Sequence, residues 1–296
     1  MNILLVCMAD YSNVMFNLSE AINRHTDHSA RSVIWCKSKF DYPYDIFYYD
    51  HTQVYPIRRL VKNADFVLFG HSIQEGKPYN LPFSPEVKKG IWYTGTHYRL
   101  HFDELNKQNH KYNTVFAHRD LEDLYTNSIR LNQPYDTLNN YDPPDFKSPV
   151  WSFGHSPSSP GGKGTCHYIE AVKGLDRVDP ILIENMKYAD CIHAKRNLHL
   201  FFDQIYPFYV PPNGHYGYGL ALAEAGSNGT LLLNKSFYDD TPIYSVNNAG
   251  EMIDTVTMLQ TYSVSELERL SRVTRQWTVD NHGYESIVNQ FFAGVE

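Results

Sequence analysis

The chain has 296 residues, a net charge of −7 with histidines neutral, 20% charged residues and 42% hydrophobic residues. That mix excludes a disordered chain, a coiled coil and a collagen-like fibre, and the length suggests two domains or one large one. Aromatic residues reach 15%, with 23 tyrosines, enough to fill two cores or to offer a stacking surface for sugars or bases.

The four cysteines are Cys7, Cys36, Cys166 and Cys191. None forms a C-x-x-C pair, and so sparse a set is no disulfide framework, so a reduced, cytoplasmic protein is expected. The apolar run Ile3–Met8 is too short for a signal peptide or a membrane span and reads as a first buried strand; no integral membrane segment is expected. The acidic balance argues against a dedicated nucleic-acid binder, although it is uneven. Residues 1–150 carry 16 Lys/Arg against 17 Asp/Glu, the rest 10 against 16, so the first half is the better surface for a polyanion.

Short apolar runs alternate with amphipathic stretches, the pattern of β-α-β units and parallel sheets. In the first half the spacing predicts strands at Ile3–Met8, Ser32–Cys36, Phe66–Phe69, Ile91–Tyr93 and Thr114–Ala117. Helices are predicted at Val14–Asn23, Ile57–Lys62, Leu100–Gln108 and Leu121–Tyr125. The Pro/Asp/Asn-rich stretch Pro134–Pro149 reads as a linker. The alternation then restarts with strands at Val150–Phe153, Ile181–Ile183, Leu198–Phe202 and Thr230–Leu233. Helices are predicted at Lys163–Lys173, Tyr188–Lys195, Leu220–Ser227 and Ala249–Leu259. A capping box, Ser263 to Glu266, opens a helical tail in which Leu267, Leu270, Val273 and Trp277 recur at helical spacing.

Two segments carry chemistry. In His155-Ser-Pro-Ser-Ser-Pro-Gly-Gly-Lys163-Gly164-Thr165, a Gly-rich loop leads from a strand into a helix. Free backbone N–H groups, the positive end of the helix dipole and Lys163 there favour an anion, or else Lys163 is a solvated loop residue. The segment is neither a Walker A loop nor a GxGxxG fingerprint. In Asn213-Gly-His-Tyr216-Gly-Tyr218-Gly219-Leu-Ala-Leu-Ala-Glu224, a carboxylate sits in an apolar helical opening, where it must be solvated, paired or bound to a ligand. An acceptor-only group of this kind suits vicinal hydroxyls, as on a ribose; a favourable charge at the helix start is the competing reading.

The order HSPSS–GGKGT–helix, then FFDQ (Phe201–Gln204), then GYGLALAEA ahead of an apolar strand resembles the donor-binding domain of GT-B glycosyltransferases of the family 4 type. The match spans roughly residues 150–235. In the first half, Tyr93-Thr-Gly-Thr-His97-Tyr-Arg99 is similar to an N-terminal "hG…R" segment of that family. The resemblance implies a mixed α/β GT-B chain of two Rossmann-like domains facing a central cleft. These would span residues 1–147 (acceptor side) and 148–275 (nucleotide-sugar side), with a C-terminal helix at 276–296 crossing back to the first.

The resemblance further implies a retaining, metal-independent glycosyltransferase with no cofactor beyond its nucleotide-diphosphate sugar co-substrate. Lys163, and His155 if protonated, would stabilise the leaving diphosphate. Ser156, Gly162, Gly164, Thr165, Tyr216, Tyr218, Gly219 and Glu224 would line the donor site, with Glu224 on the ribose. The first glutamate of the family's E-x(7)-E motif would fall at Tyr216, a departure. Asp10, Asn13, His71, His97 and Arg99 are the acceptor-side candidates. Arg99 is read as gripping a phosphate or carboxylate, against a helix-start pair with Asp103.

Fourteen histidines invite a metal site, but no H-E-x-x-H or comparable cluster occurs, and Asp239-Asp240 lies in a Tyr/Pro turn. No G-x-S-x-G elbow supports hydrolase chemistry. The acceptor stays open among a glycan, a small molecule and a hydroxymethylated base of DNA, for which Arg58/Arg59/Lys62 and Lys88/Lys89 are the basic groups. A non-catalytic nucleotide-sugar-binding module is the remaining alternative.

Overall fold

The computed structural model describes residues 1–70, 81–125, 127–139, 141–205, 217–235 and 240–295, with only the backbone of His51 and Thr96. In chain order the first half forms β1 (Asn2–Ala9), α1 (Val14–His25), β2 (Ser29–Cys36), β3 (Ile46–Phe47), α2 (Val54–Asn63) and β4 (Phe66–Phe69). It continues through β5 (Lys88–Tyr93), α3 (Gly95–Asn106), β6 (Thr114–Ala117) and β7 (Ile129–Arg130). The second half begins with β8 (Trp151–His155), α4 (Pro160–Lys163), α5 (Thr165–Lys173), β9 (Val178–Leu182), α6 (Tyr188–Ala194) and β10 (Leu200–Phe202). It closes with α7 (Leu220–Gly226), β11 (Leu231–Asn234), β12 (Ile243–Ser245), α8 (Ala249–Leu259), α9 (Val264–His282) and α10 (Tyr284–Val295).

The described strands make two parallel sheets, ordered β3-β2-β1-β4-β5-β6-β7 and β12-β11-β10-β8-β9. Strands of the first sheet's interior are apolar on both faces because helices cover both. In β1, Ile3, Leu5 and Cys7 join the core with α1 and α10, while Leu4 and Val6 join the core with Ile57 and Val61 of α2. The second sheet repeats the plan. Phe153, Leu200, Phe202, Leu231 and Leu233 pack with Tyr168 of α5 and Met252 and Val256 of α8, and Phe201 and Leu232 pack with Leu222 and Ala225 of α7.

The chain divides into two compact units, Met1–Asp136 with Tyr284–Glu296, and Thr137–Gly283. The sequence expectation placed these changes at 147/148 and 275/276. The first crossing falls early in the Pro-rich stretch because residues 141–149 already serve the second unit: Asp142 N–H donates to Asn228 Oδ1 at 2.9 Å, and Phe146 packs on Trp151. The second falls later because α9 runs unbroken to His282, and α10 starts after Gly283, whose backbone is extended.

Other differences have local causes. The predicted helix Lys163–Lys173 is two helices, broken at Gly164 by a left-handed φ of 71°. The predicted helix Leu121–Tyr125 is a 3-10 run over Arg119–Leu124. Strands β3, β7 and β12 were not expected; each lies at a sheet edge and is only two or three residues long, too short to display a period.

The last helix is held by Phe291, fully buried, edge-on to Phe66 at 5.8 Å between ring centroids and stacked on Phe116 at 5.5 Å. Phe291→Ala should therefore destabilise the first unit by ~3–5 kcal/mol through lost burial and the cavity left behind. Urea unfolding followed by tryptophan fluorescence measures it, and a loss below 1 kcal/mol would show that α10 is dispensable to this core.

Candidate functional site

In the second sheet β9 lies on one side of β8 and β10 on the other, so the strand order switches direction between β8 and β10. Ligands of open parallel sheets bind at the carboxyl ends of strands at such a point. Here those ends are His155 of β8, Asp203 and Gln204 just after β10, and Asn234 of β11.

The loop after β8 rises into α4 and turns at Gly164. A Cβ on Gly164 would sit 2.4 Å from the Ile205 carbonyl oxygen, and the Ile205 N–H donates to the Lys163 carbonyl at 3.2 Å. This close approach brings Lys163 over the end of β10. Its Nζ donates to Asp203 Oδ1 at 3.1 Å and to Gln204 Oε1. The other Asp203 oxygen accepts from the Gly219 N–H at 2.6 Å, and Gln204 Nε2 donates to the Gly217 carbonyl at 2.6 Å. Gly219 has no side chain to spare: a Cβ there would lie 3.1 Å from the Lys163 ammonium. The phrase Asp203-Gln204 is thus the floor on which the GGKGT and GYG segments meet.

Five residues beyond Gly219, Glu224 lies about 7.5 Å up the axis of α7. It is buried, and its Oε2 accepts from Nζ of Lys195, itself buried just past α6. Burial opposes the Lys195 ammonium, but Glu224 and then Cys191 outweigh it and hold its pKa above the usual lysine value. Ser156, half-buried at the end of β8, shares a hydrogen bond with Cys191 Sγ at 3.4 Å. Gly162 lies on the rim in α4.

Several of the expected site residues have partners within the protein. His155, expected to stabilise a diphosphate if protonated, has both ring nitrogens engaged within the protein. It is fully buried, with Nδ1 donating to the Phe202 carbonyl at 3.0 Å and Nε2 accepting from Thr165 Oγ1 at 2.9 Å. Burial drives its pKa down to about 4, against the Phe202 carbonyl and Asp203, which favour the imidazolium. Thr165 spends its hydroxyl on that ring. Tyr218 turns its hydroxyl to His282 Nε2 at 3.0 Å and its ring to Trp277, anchoring the GYG segment on α9 rather than facing a donor.

The acceptor-side residues are also largely structural. Asp10 caps α1, accepting from Met15 N–H and Phe16 N–H at 2.9 Å each. Asn13 is buried in a left-handed conformation, its Nδ2 donating to Asn17 Oδ1 at 3.3 Å. Arg99 pairs with buried Asp120 and not with exposed Asp103. Burial works against the Asp120 carboxylate, but Arg99 and His118, whose Nδ1 lies 2.5 Å away, bring its pKa down to about 2. Of this set His97 is exposed, tilted against His101 at 5.0 Å between centroids. His71 and Tyr216 lie outside the described residues. Among the described residues no cluster of three or more His, Cys, Asp or Glu is arranged for a metal ion, and no helix is long and apolar enough to cross a membrane.

Sequence reasoning gave no role to Asp203, Gln204 or Lys195. The first two were visible as part of FFDQ. Lys195 appeared only as the last residue of a predicted helix, with no local signal of its partner.

No protein-family model matches the chain, and no curated protein does. Solved structures do. An α-glucosyltransferase in complex with UDP and a 13-mer DNA containing a central A:G mismatch superposes with a TM-score of 0.70 at 10% identity, over 99% of both chains. HepE from Anabaena in complex with UDP-glucose gives 0.67 at 10% identity, again over 99% of both chains. The trehalose-6-phosphate synthase OtsA gives 0.64 at 8% identity, over 99% of this chain and 98% of that one. These neighbours are GT-B glycosyltransferases, and the chain has the GT-B fold.

The neutral His155 makes stability depend on pH. Its folded pKa is about 4 against 6.5 for a free imidazole, so the unfolded chain takes up the proton first as pH falls. Above pH ~7 the group contributes no pH dependence; between pH ~6.5 and ~4 it removes up to about 3 kcal/mol of stability. Denaturation of the wild type and of His155→Gln at pH 7.5, 5.5 and 4.5 checks this: the stability gap should narrow as pH falls, and a constant gap would contradict a neutral buried ring.

Proposed function

We propose that the chain is a glycosyltransferase that moves a sugar from a nucleotide-diphosphate donor to an acceptor hydroxyl, with retention of configuration and without a metal or other cofactor. The observation that carries this is Lys163, held by Asp203 and Gln204 at the switch point of a parallel sheet, in a fold whose solved neighbours include complexes with UDP and UDP-glucose.

An ammonium has three N–H donors. Asp203 and Gln204 occupy two and leave the third for a donor phosphate oxygen. The Lys163 side chain is 16% exposed while Asp203 is fully buried, so a ligand can reach the cation without displacing the carboxylate beneath it. As the bond between the sugar's anomeric carbon and the phosphate oxygen breaks, charge grows on the leaving diphosphate, and the prealigned ammonium stabilises it. The new bond forms from the acceptor hydroxyl oxygen to the same carbon, and the hydroxyl proton passes to the departing phosphate. No side-chain base is then required, which accords with a neutral His155. Glu224 accepts from a donor ribose hydroxyl.

A DNA acceptor is a second reading, favoured by one surface. On α2, Tyr55, Arg58, Arg59 and Lys62 recur at i, i+3, i+4 and i+7 and are all exposed, opposite buried Ile57 and Val61. None of the three cations makes an ion pair with another described residue. An unpaired cationic stripe beside a tyrosine 83% exposed suits a phosphate backbone with a stacking contact.

Lys163→Ala should lower turnover by ~10²-fold or more with little change in melting temperature; undiminished turnover would remove Lys163 from the reaction. An acceptor panel including hydroxymethylated duplex DNA, read by mass spectrometry with several nucleotide sugars, identifies the acceptor. If it is DNA, replacing Arg58, Arg59 and Lys62 together by alanine should lower the salt slope of DNA binding by about 3. Donor hydrolysis should be unchanged in that variant; an unaltered slope would assign the stripe to solvent.

A further inference from the structure

The resemblance implied that Glu224 holds the donor ribose. The structure gives it a permanent partner. Lys195 and Glu224 have side chains 3% and 6% exposed, and a buried ion pair of this kind adds little net stability over an apolar pair of the same volume. The pair also sits where three elements converge. Cys191 and Lys195 are four residues apart on the α6 side, Glu224 belongs to α7, and Ser156, at the end of β8, touches Cys191 Sγ. Lys195 Nζ further lies 5.9 Å from the centre of the Phe201 ring on β10.

Resting on the proposed donor site, we propose that Lys195 is the positioning residue of the nucleotide subsite: by holding Oε2 of Glu224 it fixes the orientation of that carboxylate, leaving Oε1 as the acceptor for a ribose 2′-hydroxyl. A carboxylate oxygen has lone pairs to give but no proton, so the subsite selects ligands that donate there: ribonucleotides over deoxyribonucleotides. Lys195 itself touches no ligand. Removing it leaves the carboxylate buried without its partner, so that its orientation toward the hydroxyl is no longer fixed.

The experiment is calorimetric titration of UDP and of 2′-deoxy-UDP into the full chain and its variants at one neutral pH. The wild type should prefer UDP. Lys195→Met should lower UDP affinity by ~10-fold or more, the scale of a lost hydrogen bond to a charged group. It should also bring the UDP to 2′-deoxy-UDP ratio close to one. Lys195→Arg should restore affinity and ratio. Because Lys195→Met can unfold the chain, the double variant Lys195→Met/Glu224→Gln, which removes both charges, is measured against Glu224→Gln alone; in that background the lysine should matter less than ~2-fold. An equal loss in both backgrounds, or a lowered melting temperature with an unaltered ribose preference, overturns the role of Lys195 while leaving the glycosyltransferase reading intact. A wild type that binds neither UDP nor UDP-glucose overturns that reading and this one with it.

Discussion

The meeting of the two glycine-rich segments in the second unit depends on one contact, the Lys163 ammonium against the Asp203 carboxylate. Asp203 lies in the interior, where an unpaired carboxylate would cost several kcal/mol, and it is satisfied from two sides. Lys163 reaches it from the loop after β8, and the Gly219 N–H reaches it from the loop before α7. The need to neutralise one carboxylate therefore draws together segments some 55 residues apart in sequence. The glycines on either side follow from it. Gly164 must pass under the Ile205 carbonyl for Lys163 to arrive, and Gly219 must lack a side chain for the ammonium to fit.

The architecture was legible because its signal is redundant. Strands β1, β4, β6 and β11 are buried on both faces through most of their length, so each is built on a continuous apolar run. The helices between them show one apolar stripe. The same plan, two parallel sheets with helices on both faces, occurs in neighbours only about one residue in ten identical, because pattern rather than identity sets it. What escaped lay at the edges. A two-residue strand such as Ile46–Phe47 is defined by its partner's backbone, not by any period of its own.

The candidate site's loops could be marked out in the sequence, whereas the partners of its individual side chains could not. A polar residue next to a strand end reads as a ligand contact, yet the backbone there has its own unsatisfied groups. Asp10 spends both carboxylate oxygens on the first turn of α1, and Thr165 spends its hydroxyl on His155. Arg99 was expected to meet an acceptor and instead meets Asp120, which lies 21 residues away in sequence and is invisible to any local rule. The converse error is Lys195. Its partner Glu224 is 29 residues distant, and only the fold shows that this lysine belongs with that glutamate.

The charge arrangement has a chemical consequence. The proposed donor side holds two lysines, each matched by a carboxylate, and a buried histidine. Such a set is close to electroneutral, so it would not draw anions by net charge, consistent with a second half that is acidic overall. Discrimination must come from donors already aimed at fixed points. A preoriented ammonium whose counter-ion is buried beneath it reorganises little when charge develops above it, and low reorganisation is what makes a fixed charge effective on a leaving group. The buried carboxylates thus do more than balance the lysines: they hold them still.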